Sequence, residues 1–256
     1  MATAHSGGGD PARTLALLWG RDPARSRGRK PGLSVRRIAQ AAIEVADTHG
    51  LDALSMRRVA ERLGVGTMSL YTYVPGKAEL IDVMLDAVHG EIDGVAAPRG
   101  DWREKLRHVA RTNWDLARRH PWILHVATAA RPPLGPRSIA KYERELAAVA
   151  DSGLDDVEMD AVITLINQYV HSAARGAADA ADIERSSGLD DQAWWAATAP
   201  WLDKVFDPAR YPLAARVGSA AGEHHNAAYD PQYAFEFGLQ RILDGIEVLI
   251  QRRTAT

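Results

Sequence analysis

The chain has 256 residues, 46% of them hydrophobic, and no cysteine, which excludes disulfides, thiolate zinc sites and thiol nucleophiles. That length suits one large or two modest domains, and no run reaches the apolar length of a bilayer span. The net charge of −2 conceals a division: residues 24–77 hold 10 Arg/Lys against 4 Asp/Glu, whereas residues 78–256 hold 19 against 27. A small basic module able to gather phosphates therefore adjoins a larger acidic one that repels them.

Residues 1–32 are mostly Gly, Ala, Arg and Pro and read as a flexible basic arm, apart from an apolar patch at Leu15–Trp19. Met1–Asp10 lack the basic-then-apolar order of a signal peptide, and with the missing cysteines this points to the cytoplasm. Arg25, Arg27, Arg29 and Lys30 either reach a DNA groove or phosphates, or form a tail that only raises nonspecific affinity.

Residues 33–95 read as short amphipathic helices forming a DNA-binding head. Val35, Ile38, Ala42, Val45 and Ala46 recur at helical spacing, and Gly50 ends that helix. Ser55 is the expected N-cap of the next helix and Gly64 its stop, followed by Val65–Val74. Two helices about a glycine turn make a helix-turn-helix, the second placed to enter a major groove. Arg57 can reach a base edge or a phosphate. Thr67, Ser69, Tyr71 and Tyr73 are the expected polar contacts, and Met68 offers an apolar face to a thymine methyl. Lys77 stands at a helix start, where a cation opposes the macrodipole; a bound phosphate would resolve the conflict, and a solvated lysine is the alternative.

Residues 100–256 read as a second helical domain. Helices are predicted over Trp102–Arg119, Pro121–Ala129, Pro136–Ser152, Asp155–Ala180 and Tyr233–Arg252, with a broken helix and long loop over residues 182–231. No period-two alternation predicts a sheet. In the last helix Phe235, Leu239, Ile242, Ile246 and Leu249 are spaced 4, 3, 4 and 3, which fits either a helix–helix interface or an ordinary core stripe. No HExxH, GxSxG, Walker loop or GxGxxG is present.

The segments Ile38–Asp47, Gly50–Val65 and Ser69–Ile81 resemble the TetR family of bacterial transcriptional regulators, and Phe235–Ile246 resembles the last helix of a tetracycline-repressor-type C-terminal domain. The resemblance implies an all-α homodimer with a three-helix helix-turn-helix head and a larger helical ligand-binding and dimerisation domain. It implies a palindromic double-stranded operator and a small-molecule effector, with no membrane, no catalytic residues and no cofactor. It places Arg57, Thr67, Met68, Ser69, Tyr71 and Tyr73 at operator contacts, Lys77 at a phosphate and Ser55 at a further backbone contact. Tetracycline repressors hold a magnesium–drug chelate with a histidine shortly before an Arg-Pro turn. If Arg131-Pro132 is that turn, Ala127 occupies the histidine position, so an apolar or aromatic effector without a metal is expected. Six of the seven tryptophans fall in the larger domain, and His108, Asn113, Trp114, Gln168 and His171 are the expected ligand contacts. The function expected is a ligand-responsive repressor, with an activator as the variant. The rival is an all-helical small-molecule-binding or catalytic protein without specific DNA binding.

Overall fold

In the computed structural model, residues 4–5, 7–20, 32–96, 99–127 and 131–254 are described. Arg25, Arg27, Arg29 and Lys30 lie outside them. The first helix, α1 (Pro11–Leu18), is capped by Asp10, whose carboxylate accepts the Arg13 N–H. It buries Leu17 in the same core as the head, so this part of the expected arm is docked rather than free.

The head is built by capping and apolar periodicity together. Ser34 caps α2 (Val35–His49) by accepting the Arg37 N–H, and Ser55 caps α3 (Met56–Leu63) by accepting the Arg58 N–H. Gly64 ends α3 with φ +65°, the left-handed region where a side chain would be strained. Two residues later α4 begins (Thr67–Tyr71), and α5 (Lys77–His89) leads out of the head. Ile38, Ala42, Val59, Leu70, Val74, Leu80, Met84 and Val88 close the core without solvent exposure. Each large aliphatic among them is stabilised by about 1.5–3 kcal/mol through burial.

The second core is formed by α6 (Trp102–Arg119), α8 (Asp156–Ser187) and α11 (Pro231–Thr254), with α7 (Pro136–Leu146) packed on α5 and α8. Asp155 and Glu158 form a capping box that starts α8. Gly188, at φ +70°, ends it beyond the predicted Ala180. The expected helix over Pro121–Ala129 is a 3₁₀ turn (Pro121–His125) running into an extended Val126–Ala127. The segment predicted as a broken helix and a long loop holds two helices, α9 (Asp191–Val205) and α10 (Pro212–His225). Asp190 caps α9, and Pro212 at the first turn of α10 is compatible with helix, so these signals started helices as well as breaking them.

The head is tied to the larger domain by polar contacts. The Asp47 carboxylate of α2 accepts the Trp122 indole N–H at 2.9 Å and lies 2.8 Å from His120 Nδ1. The N-terminal segment adds a strap. Ala4–His5 (β1) pair in parallel with Val126–Ala127 (β2), Gly7 N–H donates to Asp82 of α5 at 3.1 Å, and Trp19 Nε1 donates to the Leu134 carbonyl at 2.9 Å.

Candidate nucleic-acid interface and ligand cavity

The recognition surface is short. Leu70 and Val74 anchor α4 from beneath, and Val65 packs partly against the same core. The opposite side carries Met68 at 77% exposure and Tyr71 at 42%, with Thr67 and Ser69 half-buried beside them. Tyr73 is not on this surface: its side chain is 2% exposed and fills the head core, since C-terminal to Tyr71 the chain turns inward. Thr72, which sequence reasoning passed over, is exposed at the end of α4.

Around the helix, Ser55 serves as the α3 cap. Arg57 is exposed and pairs with Glu61 one turn on at 2.8 Å, an interaction weak enough to exchange for a phosphate. Lys77 is the first residue of α5, beyond the uncapped Gly76, and its ammonium lies 3.4 Å from the Leu51 carbonyl. The free N–H groups of that helix start and the adjacent cation together suit an anion.

A cavity of about 990 Å³ lies between α5, α6, α7 and α8. Asn113, Gln168 and His171 line it as expected. Trp114 does not; it stacks on Phe235 in the core, ring centroids 4.2 Å apart. His108 does not line it either, but faces a water-sized cleft of about 20 Å³. No tryptophan borders the cavity: Trp114 and Trp122 are in cores, Trp102 packs on the second core, Trp194, Trp195 and Trp201 are on α9, and Trp19 is exposed at the end of α1.

The walls are half polar. Asn113 Nδ2 donates to Glu145 Oε1 and to Asn167 Oδ1, both at 2.7 Å, and Asn167 Nδ2 donates to Glu145 Oε2 at 3.0 Å. Lys141 pairs with Glu145 one turn along α7. Tyr142 donates its hydroxyl to Asp160 at 2.6 Å, and that hydrogen bond, with lesser contributions from burial and negative charge, pushes its pKa up to about 12. Burial, with the charge of Arg175 behind it, holds His171 below its ordinary value. Sequence reasoning missed Lys141, Glu145 and Asp160; the available signal was the i,i+4 Lys141–Glu145 pair on a predicted helix, which also reads as a solvated face.

Three of the expected interface residues of α11 face the core of their own chain. Phe235, Leu239 and Ile246 are at most 4% exposed within one chain, and Ile242 and Leu249 pack partly against the same core. Phe235, Leu239 and Ile246 therefore belong to the core stripe, and Ile242 and Leu249 border it. The outward face of α11 carries Phe237 and Val248, both about half exposed.

Two family models match this chain: bacterial regulatory proteins of the tetR family over residues 33–84, and the tetracyclin repressor-like C-terminal domain over residues 95–250. The chain belongs to the TetR family. The HTH-type transcriptional repressor DrrR1 of Streptomyces coeruleorubidus is 45% identical, across 98% of this chain and 91% of that protein. The class A tetracycline repressor of Escherichia coli is 27% identical over 82% of this chain and 88% of its own length. Among solved structures, apo ActR of Streptomyces coelicolor superposes with a TM-score of 0.66 at 26% identity, covering 87% of this chain and 99% of ActR. ActR with actinorhodin bound gives the same TM-score at 27% identity, over 84% and 96% of the two chains. This TetR-family member is a ligand-responsive DNA-binding repressor and not an enzyme.

Proposed function

We propose that the chain acts in the cytoplasm as a homodimer on a palindromic operator, and that a small molecule entering the 990 Å³ cavity releases it. The observation that carries this reading is the span of α5. It starts at Lys77 beside the recognition helix and reaches the cavity wall at Leu85 and His89. A ligand that shifts the C-terminal half of this helix shifts the head, so operator affinity falls by the ligand's preference for the second arrangement. Thr67, Met68, Ser69 and Tyr71 then read base edges, while Ser55, Arg57, Lys77, Arg29 and Lys30 hold the backbone.

The dimer reading rests on apolar surface left over by one chain. Leu165 of α8 and Phe237 and Val248 of α11 are exposed, and α9 and α10 bury no residue at all while exposing Trp201, Val205 and Leu213. A second copy covers such a surface, and symmetric pairing of two heads suits a palindrome.

The ligand favoured is apolar or aromatic and uncharged. Ile123, Leu124, Pro132, Leu134 and Ile163 supply apolar walls, and the charged lining groups already have partners: Lys141 with Glu145, Asp160 with Tyr142, and Arg175 with Asp179 at 3.3 Å. A charged ligand would have to compete with these pairs, and at the buried Lys141–Glu145 pair it would do so at low dielectric.

The test is fluorescence anisotropy on DNA from upstream of the chain's own gene. Wild type should bind it with strong salt dependence, and Tyr71→Ala should cost about 1–3 kcal/mol there and little on random duplex. Equal losses on both DNAs would reduce Tyr71 to a backbone contact. Turnover of a substrate with no DNA binding would replace the regulator reading altogether.

A further inference from the structure

His89 is the last residue of α5 and lines the cavity, and its hydrogen bonds fix which nitrogen carries the proton. The chain of contacts starts at Asp86, one turn earlier. Its carboxylate oxygen Oδ1 accepts from Arg137 N–H at 3.1 Å, Ser138 N–H at 2.9 Å and the Ser138 hydroxyl at 3.0 Å. Asp86 thereby caps α7 from another helix. Gly135 makes this approach possible, since a Cβ there would lie 2.1 Å from the same oxygen. The Ser138 hydroxyl has a single proton and donates it to Asp86. Its contact with His89 Nδ1, at 2.9 Å, must then be donated by the imidazole. Enclosure, and secondarily the charge of Lys141, lowers His89 to about 3, so the ring is neutral and Nε2 has no proton.

We propose that His89 Nε2 is a hydrogen-bond acceptor for the effector, so that the cavity selects ligands presenting a hydroxyl or N–H donor at the α5 end. Among the described residues no hydrogen bond to Nε2 is seen; Asn113, Lys141 and Tyr142 on the walls are engaged, and the open lining groups Thr164 and Gln168 belong to α8, not to the helix that carries the head. A donor satisfying this nitrogen touches the helix that carries the head, and a ligand with an ether at the same place leaves the nitrogen unpaired. The discrimination expected for a site built to hydrogen-bond a hydroxyl is large, because the enclosed partner is otherwise unsatisfied. The inference rests on the cavity being the effector site.

Two measurements on the full-length chain test it. Long-range proton–nitrogen NMR on histidine-labelled protein should show His89 protonated on Nδ1 only and unchanged down to pH 5, with Ser138→Ala mixing the tautomers. A proton found on Nε2, or titration near pH 6.5, would overturn the proposal. The second compares 2,6-dihydroxyanthraquinone with its dimethyl ether by titration calorimetry. Wild type should prefer the phenol by tenfold or more, and His89→Phe should lose that preference while still binding the ether. Equal binding of the two by wild type, or an unchanged preference in His89→Phe, would sink the role of His89 and leave the cavity reading intact. If neither compound bound even at solubility, while another molecule released the DNA without entering the cavity, the cavity reading itself would fall and this inference with it.

Discussion

Single residues divide into those that hold the head together and those it presents. Tyr71 and Tyr73 are two positions apart on a sequence that reads as one contact strip, yet one is exposed and the other fills the core. Tyr73→Ala is expected to unfold the head at a cost of about 3–5 kcal/mol, as for other large buried aromatics, whereas Tyr71→Ala should leave the melting temperature unchanged. A scan of both variants by circular dichroism checks this. Lys77→Ala should lower the salt slope of DNA binding by about 1 and weaken all sequences alike, since a phosphate contact carries no sequence information. His89 supplies a pH dependence. Its folded value of about 3 lies below the ordinary 6.5, so between those limits the unfolded chain binds a proton that the folded chain does not. That contribution to stability is complete above pH 6.5 and is lost progressively as pH falls toward 3. The drop in melting temperature between pH 7.5 and pH 5 should therefore be smaller in His89→Gln than in wild type.

Whole elements show what a sequence pattern can carry. The head was legible because its caps and stops are local: Ser34, Ser55, Gly50 and Gly64 act on helices within four residues of themselves. The α11 stripe was legible as a stripe but not by its partner, because a 4-3 spacing is the same whether the facing helix belongs to one chain or two. Ile246→Asp is expected to unfold the larger domain, since it buries a carboxylate between α6, α8 and α11. Val248→Asp, on the outward face, should split the dimer in a folded chain; sedimentation mass with a retained helical signal tells the two apart. The strap was not legible at all. Gly7, Asp82, Trp19 and Leu134 are brought together across 75 and 115 residues of sequence, and nothing periodic marks such contacts. The cavity was partly legible: polar residues on apolar helices gave Asn113, Gln168 and His171, but α7 looked like a charged surface helix and so hid Lys141 and Glu145.

At the scale of the molecule, a basic head and an acidic ligand domain share α5, and that helix gives a physical route between them. Lys77 and the recognition helix lie at one end, and His89 and the cavity at the other. Coupling of this kind is reciprocal: the factor by which a ligand weakens the operator is the factor by which the operator weakens the ligand, and factors of about 5–150 are usual. All of it depends on two heads reading two half-sites. The most direct test is binding-site selection by the full-length chain from a pool of random duplex DNA. The account predicts enrichment of an inverted repeat whose half-site centres lie about one helical turn, 34–36 Å, apart, with Tyr71→Ala failing to enrich it. No enrichment, or a single unrepeated site bound by one chain, would contradict it.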